Sequence, residues 1–177
     1  QINFAPVVDI NTNPRNPIIG FRSFGEDKFN VASKALNYLK GMHYYGIMGA
    51  AKHFPGHGDT ETDSHLTLPS INFSKERINE VELYPFKELI NNNLDGIMTA
   101  HLNIPNLDKT KISTLSKKVI NNLLIEDLNF KGLVITDALD MKAIVDFSKG
   151  EHQDVAALNA GNDLLLMPTD IEKSIKE

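Results

Sequence analysis

Fourteen residues, KHFPGHGDTETDSH (Lys52 to His65), hold three of the chain's six histidines, His53, His57 and His65, together with the aspartates Asp59 and Asp63. Imidazoles and carboxylates this close can move protons near neutral pH, hold a metal, or form the polar face of a solvated loop. The metal reading is weakened by its own spacing. His53 and His57 would share one face of a helix, but Pro55 and Gly56 stand between them and break it. In Asp63-Ser64-His65 a carboxylate two residues from a histidine can accept the ring N–H, fix its tautomer and raise its basicity, which makes a proton shuttle. A lone Asp-x-His pair recurs by chance, so a second anchor is needed. Asp137 ends the apolar stretch VITD. A carboxylate delivered by a buried strand is held rigidly enough to act as a nucleophile. Its structural alternative is the cap of a helix in ALDMKAI. Asp140, three residues on, reads as the solvent-facing member of the pair.

The elements that must position these groups alternate along the chain. Short apolar runs at INFAPVVDI (2–10), IMGAAKHF (47–54), DGIMTAH (95–101), GLVITD (132–137) and NDLLLMP (162–168) read as strands. Between them, residues 28–46 carry Val31, Ala35, Leu36 and Leu39 at helical spacing, with Gly46 as a stop. Residues 73–93 read as a helix capped by Ser74 and kinked at Pro85, and helices are expected over 116–129 and about 151–160. An Asn- and Pro-rich loop, NTNPRNPIIGFRSFGED, follows the first strand. Near-continuous apolar strands alternating with helices argue a parallel sheet covered by helices. An open doubly wound sheet would gather its site at one switch point, and no Gly-x-Gly-x-x-Gly follows the first strand. His53, His101 and Asp137 instead sit at the C-terminal ends of three different strands, as the site of a (β/α)8 barrel requires. The fold class expected is therefore α/β, a TIM-type barrel. Five strand units in 177 residues fall short of the roughly 250 of a typical barrel. A partial barrel of about five βα units is expected, cut from a longer protein with strands missing at both ends.

Composition sets outer bounds. With 41% hydrophobic and 23% charged residues the chain can bury a core like an ordinary globular domain. A net charge of −5 with scattered basic residues argues against a nucleic-acid surface or a polybasic membrane tract, and no apolar run approaches the ~20 residues of a membrane span. The absence of cysteine removes disulfides, thiolate metal sites and a cysteine nucleophile. No signal peptide opens the sequence.

Taken together, KHFPGHG followed by DSH, with RSFGED upstream and ITDALDMKAI downstream, resembles the glycoside hydrolase family 3 β-N-acetylglucosaminidases, the bacterial NagZ-like branch. The resemblance covers nearly the whole chain, residues 1–177, as part of the N-terminal catalytic barrel. It implies a retaining exo-β-N-acetylglucosaminidase (a β-N-acetylhexosaminidase) acting on cell-wall-derived glycans such as muropeptides, in bacterial peptidoglycan recycling. Asp137 matches the nucleophile, His65 an unusual acid/base and Asp63 its orienting partner. Lys52, His53 and Arg22 match sugar-binding side chains, and His101 is placed beside them by its strand position. His57 is expected to shape the loop, with Gly56 and Gly58 giving it freedom to swing. A histidine repels an incoming anion less than a glutamate does, so phosphate could compete with water in the second step. The resemblance implies no cofactor and no metal, a carbohydrate partner, and the remainder of the parent polypeptide to complete the barrel. It leaves the compartment open between bacterial cytoplasm and cell envelope. A DxEGGRV-like segment of the family is not present in this sequence. The alternatives are a family 3 β-glucosidase, against which the complete Asp63/His65 loop argues, a non-catalytic sugar-binding module, and a metal-dependent hydrolase.

Overall fold

The structure, a computed structural model, describes residues 1–61, 68–148 and 152–176. Asp63 and His65 lie outside the described residues. Five strands, β1 (Ile2–Asn3), β2 (Met48–Phe54), β3 (Gly96–Thr99), β4 (Leu133–Ala138) and β5 (Leu164–Leu166), form one sheet in the order β1-β2-β3-β4-β5. Every neighbouring pair is parallel. A doubly wound sheet reverses its strand order at the switch point; sequential order with a helical crossover after each strand builds the wall of a barrel. The chain is thus a half-barrel of the (β/α)8 type, as expected.

The helices are α1 (Lys28–Tyr44), α2 (Lys75–Arg77), α3 (Tyr84–Ile90), α4 (Lys142–Phe147), α5 (Gln153–Ala160) and α6 (Ile171–Lys176), with π-helical turns at Ile78–Glu82 and Lys118–Asp127. In α1 the Asp27 side chain accepts the Asn30 N–H at 2.8 Å, satisfying an amide that has no intrahelical partner. Val31, Ala35, Leu39 and Met42 recur every three or four residues and form the buried stripe. The helix stops where Gly46 takes a left-handed φ of 68°.

The single kinked helix expected over 73–93 is three segments. Ser74 caps α2 as anticipated, accepting the Arg77 N–H at 3.2 Å. The Leu83 N–H then reaches five residues back to the Ile78 carbonyl at 2.9 Å. Pro85 falls in the first turn of α3, where its missing N–H leaves nothing unsatisfied. The first strand is also shorter than its apolar run: Ala5 N–H turns back onto the Asn3 carbonyl, Pro6 has no N–H for a ladder, and only an isolated bridge from Val7 to Lys52 resumes the pairing.

The two faces of the sheet carry separate cores. The convex face packs Ala51, Ile97 and Val134 against Leu39 of α1 and Phe86 and Leu89 of α3. Phe54 and Phe86 meet edge to face at 5.2 Å and are both fully buried. That burial stabilises by roughly 1.5–3 kcal/mol per ring, and the edge-to-face pairing adds about 1 kcal/mol. The concave face carries a small cluster of Ala50, Met98 and Ile135, with Ile2, Phe4 and Leu166 packed at its edge. Strand alternation extends the same face upward, from Ala50 to Lys52 on β2 and from Ile135 to Asp137 on β4, with Lys52 opposite Met98 and Met98 opposite Ile135. The concave positions are apolar within the wall and charged at its C-terminal rim. No helix of the described residues is long and apolar enough to cross a membrane.

Candidate active site

The site is organised around Asp9, which the sequence reading passed over as the polar end of an apolar run. Its carboxylate is buried and receives three backbone or ring donors. His53 Nδ1 lies 2.7 Å from Oδ2, the His53 N–H is 3.1 Å from both oxygens, and the His57 N–H reaches Oδ1 at 2.7 Å. Burial by itself would raise the carboxyl's pKa, but the hydrogen bonds from His53 and His57, and the positive charge both rings carry in the acid range where a carboxyl titrates, outweigh that and hold it below the usual value, so it is an anion at neutral pH. A signal for it did exist. Asp9 stands at the end of the first apolar run just as His53, His101 and Asp137 stand at the ends of theirs.

His53 closes β2 beside Lys52. Its other ring nitrogen, Nε2, lies 3.4 Å from Arg22 Nη2. Arg22 comes from the loop between β1 and α1, on a short 3-10 turn, Gly20–Arg22. Two bonds pin that loop to the strand end and to the histidine loop. Ser23 donates its hydroxyl to the Asp9 carbonyl at 2.6 Å, and Asn16 Nδ2 donates to the His57 carbonyl at 2.8 Å. The Asn16 side-chain oxygen also accepts the N–H groups of Ile18 and Ile19, ordering the approach to Arg22.

Lys52 is half-buried. Burial and the neighbouring Arg22 charge depress its pKa, while Asp137 and Asp9 oppose them. Asp137 also acts on His57. Arg22, Lys52, His53 and Asp137 therefore share one electrostatic neighbourhood at the rim, supplied by the first loop, β2 and β4. Asp137 Oδ1 accepts the Ala138 N–H at 2.9 Å. It does not cap the helix that follows: α4 begins at Lys142 behind Met141, which makes no side-chain cap. Asp140 is exposed, on the solvent side of the turn.

His57 and His101 are placed differently. His57 is buried, its Nδ1 is 2.7 Å from Thr60 Oγ1, and Thr60 in turn donates to the His57 carbonyl at 3.1 Å. Burial pushes the imidazole below its ordinary pKa against the pull of Asp9, which suits a ring that braces the loop in neutral form. His101, two residues past β3, is 99% buried. Its Nδ1 is 2.8 Å from Thr114 Oγ1 and its Nε2 is 2.9 Å from the Ala138 carbonyl, the residue after Asp137. This geometry ties the tops of β3 and β4 together.

The glycine hinge is corrected in part. Gly56 has φ +128°, and a Cβ there would meet the Glu82 Cβ at 2.9 Å. At Gly58 a Cβ would run into the backbone of Ile10. Gly58 is thus a close-approach contact with the end of the first strand run, and tethers the loop where a hinge was expected.

Comparison with known proteins follows the same lines. The model of the glycosyl hydrolase family 3 N-terminal domain matches residues 1–177. The curated beta-hexosaminidase A of Pseudoalteromonas piscicida is 41% identical over 95% of this chain, which spans 30% of that relative. Among solved structures, a glycoside hydrolase family 3 beta-N-acetylglucosaminidase from Paenibacillus superposes with a TM-score of 0.93 at 42% identity, covering 99% of this chain and 34% of its own. Native NagZ from Neisseria gonorrhoeae superposes with a TM-score of 0.86 at 31% identity, covering 99% of this chain and 49% of its own. The chain spans between a fifth and a half of the length of the proteins it matches.

Proposed function

Because the chain belongs to glycosyl hydrolase family 3, we propose that it supplies the catalytic groups of a retaining exo-β-N-acetylglucosaminidase. The observation that carries this reading is the convergence of Arg22, Lys52, His53 and Asp137 on one rim, over a wall whose lower positions are apolar. The Asp137 carboxylate attacks the anomeric carbon as the glycosidic C–O bond breaks. His65, oriented by Asp63, gives its proton to the departing oxygen. The resulting glycosyl ester is then opened by water, whose proton returns to His65, releasing the sugar and free Asp137. Arg22 and Lys52 are donors that orient the sugar hydroxyls before reaction. The naming of the similar proteins as beta-hexosaminidases and beta-N-acetylglucosaminidases supports a GlcNAc substrate. Terminal β-linked GlcNAc in cell-wall glycans is the substrate class proposed.

The test is turnover of an aryl β-GlcNAc beside an aryl β-glucoside by this chain and by Asp137→Asn. GlcNAc turnover abolished by the substitution, by about 10³-fold or more, is the expected result. A preference for the glucoside would move the chain to the β-glucosidases, and turnover that survives Asp137→Asn would remove Asp137 as nucleophile. Saturable GlcNAc binding without turnover would favour a sugar-binding module.

A further inference from the structure

We propose that Asp9 is a positioning residue of this site: its buried carboxylate holds the His53 ring with its proton on Nδ1, so that Nε2 faces the rim as a hydrogen-bond acceptor. The proposal rests on the glycosidase reading only for its consequence in turnover.

Both contacts of the ring point to the same assignment. A carboxylate only accepts, so the 2.7 Å contact between Asp9 Oδ2 and His53 Nδ1 requires the proton on Nδ1. A guanidinium only donates, so the 3.4 Å approach of Arg22 Nη2 is a hydrogen bond when the lone pair is on Nε2. An imidazolium would place an N–H against an N–H at that point. The ring is therefore neutral, with its acceptor outward. The groups around it are Asp9 beneath, Arg22 and Lys52 beside it, His57 edge-on with ring centroids 5.9 Å apart, and Asp137 across the rim.

An acceptor here completes a chemical set. Lys52 and Arg22 can only donate, and a sugar hydroxyl both donates and accepts. His53 Nε2 accepts the hydroxyl's hydrogen bond while a neighbouring cation donates to the hydroxyl oxygen. At 3.4 Å the Arg22 contact is weak, and an arriving hydroxyl replaces it. The same carboxylate fixes the His57 backbone, from which the chain leads on to Asp63 and His65. One buried acid thus sets both the sugar-gripping pair and the root of the loop.

The measurement is the tautomer of His53, read from imidazole ¹⁵N shifts of this chain labelled at histidine, at about pH 7.5, with the resonance assigned by difference against His53→Gln. The expected pattern is a protonated Nδ1 and an unprotonated Nε2. A proton on Nε2, or on both nitrogens, overturns the proposal without any variant of Asp9. In Asp9→Asn, whose amide can offer an N–H to Nδ1, the proton should shift toward Nε2; an unchanged ring also overturns it. In turnover the same variant should lose roughly 10- to 100-fold, mainly through KM. The spectrum needs no substrate, so a chain without glycosidase activity would bear on the functional reading alone and leave the tautomer to stand or fall by itself.

Discussion

Two buried acids under the same loop are treated oppositely by their surroundings. Asp9 collects N–H donors from His53 and His57 and stays ionised. Glu82, packed beneath Gly56, has Oε1 3.1 Å from Arg77 Nη2, while its buried Oε2 meets no hydrogen-bond partner among the described residues. Burial raises its pKa, Asp59 adds to the rise, and its backbone hydrogen bond and Arg77 offset only part. The sign follows. A carboxyl whose folded pKa lies above its unfolded value of about 4.5 is best accommodated protonated; its contribution is full below that pH and is lost as pH rises through the folded value. Glu82→Gln keeps the neutral form at every pH. The variant should therefore gain on the parent as pH rises from about 4.5 toward neutrality, read as urea midpoints at both ends. A parent as stable as the variant at neutral pH would contradict this. None of it was legible in the sequence, where Glu82 is one more charge on an amphipathic stretch. What makes it unusual is the backbone of a distant loop pressing on it.

At the scale of elements, strand positions and helix caps were readable because they depend on neighbours in sequence. Ser74 and the five apolar runs are of this kind. The π-turns at Ile78–Glu82 and Lys118–Asp127 were not, since apolar spacing does not distinguish i→i+4 from i→i+5 bonding in a buried stripe. The six-residue helices α4 and α6 are too short to show a period. Gly58 is the instructive case. Its partner is the backbone of Ile10, which cannot rotate away as a side chain would. Gly58→Ala should cost about 1–3 kcal/mol or more, measured by denaturation. Gly41, whose added Cβ meets nothing within 4 Å, is the control and should tolerate alanine with no packing penalty. Equal losses at both positions would refute the tether.

For the whole molecule, acid should unfold the chain in stages. His57 is held below its unfolded pKa of 6.5, so the unfolded chain takes up a proton first and stability falls as pH drops below that value. Asp9 and Asp108 are held below 3.8, Asp108 to about 2, so their contributions are present above 3.8 and are lost as pH falls through the folded values. For Asp108, burial opposes the shift, and the donors Ser116, Thr110 and Lys118 produce it. Asp108→Asn should cost about 2 kcal/mol at neutral pH and flatten the stability curve below pH 3.8. An unaltered acid limb in the variant would show that Asp108 does not contribute there. The barrel reading was itself legible, because residues able to do chemistry stood at the ends of several strands rather than at one crossover.

The sequence alone determined the alternation of strands and helices and the C-terminal placement of His53, His101 and Asp137, since each follows from the local order of residue types, and its motifs carried the resemblance to the family. Tertiary structure decided which of these groups meet. Asp9 and His53 are separated by more than forty residues, and they meet in a 2.7 Å hydrogen bond because parallel strands bring their ends to one rim. His101 turned toward Thr114 and the Ala138 carbonyl, and Gly58 became a tether, for the same reason. A strand end fixes where a side chain starts, while the neighbouring strands and loops fix what it touches.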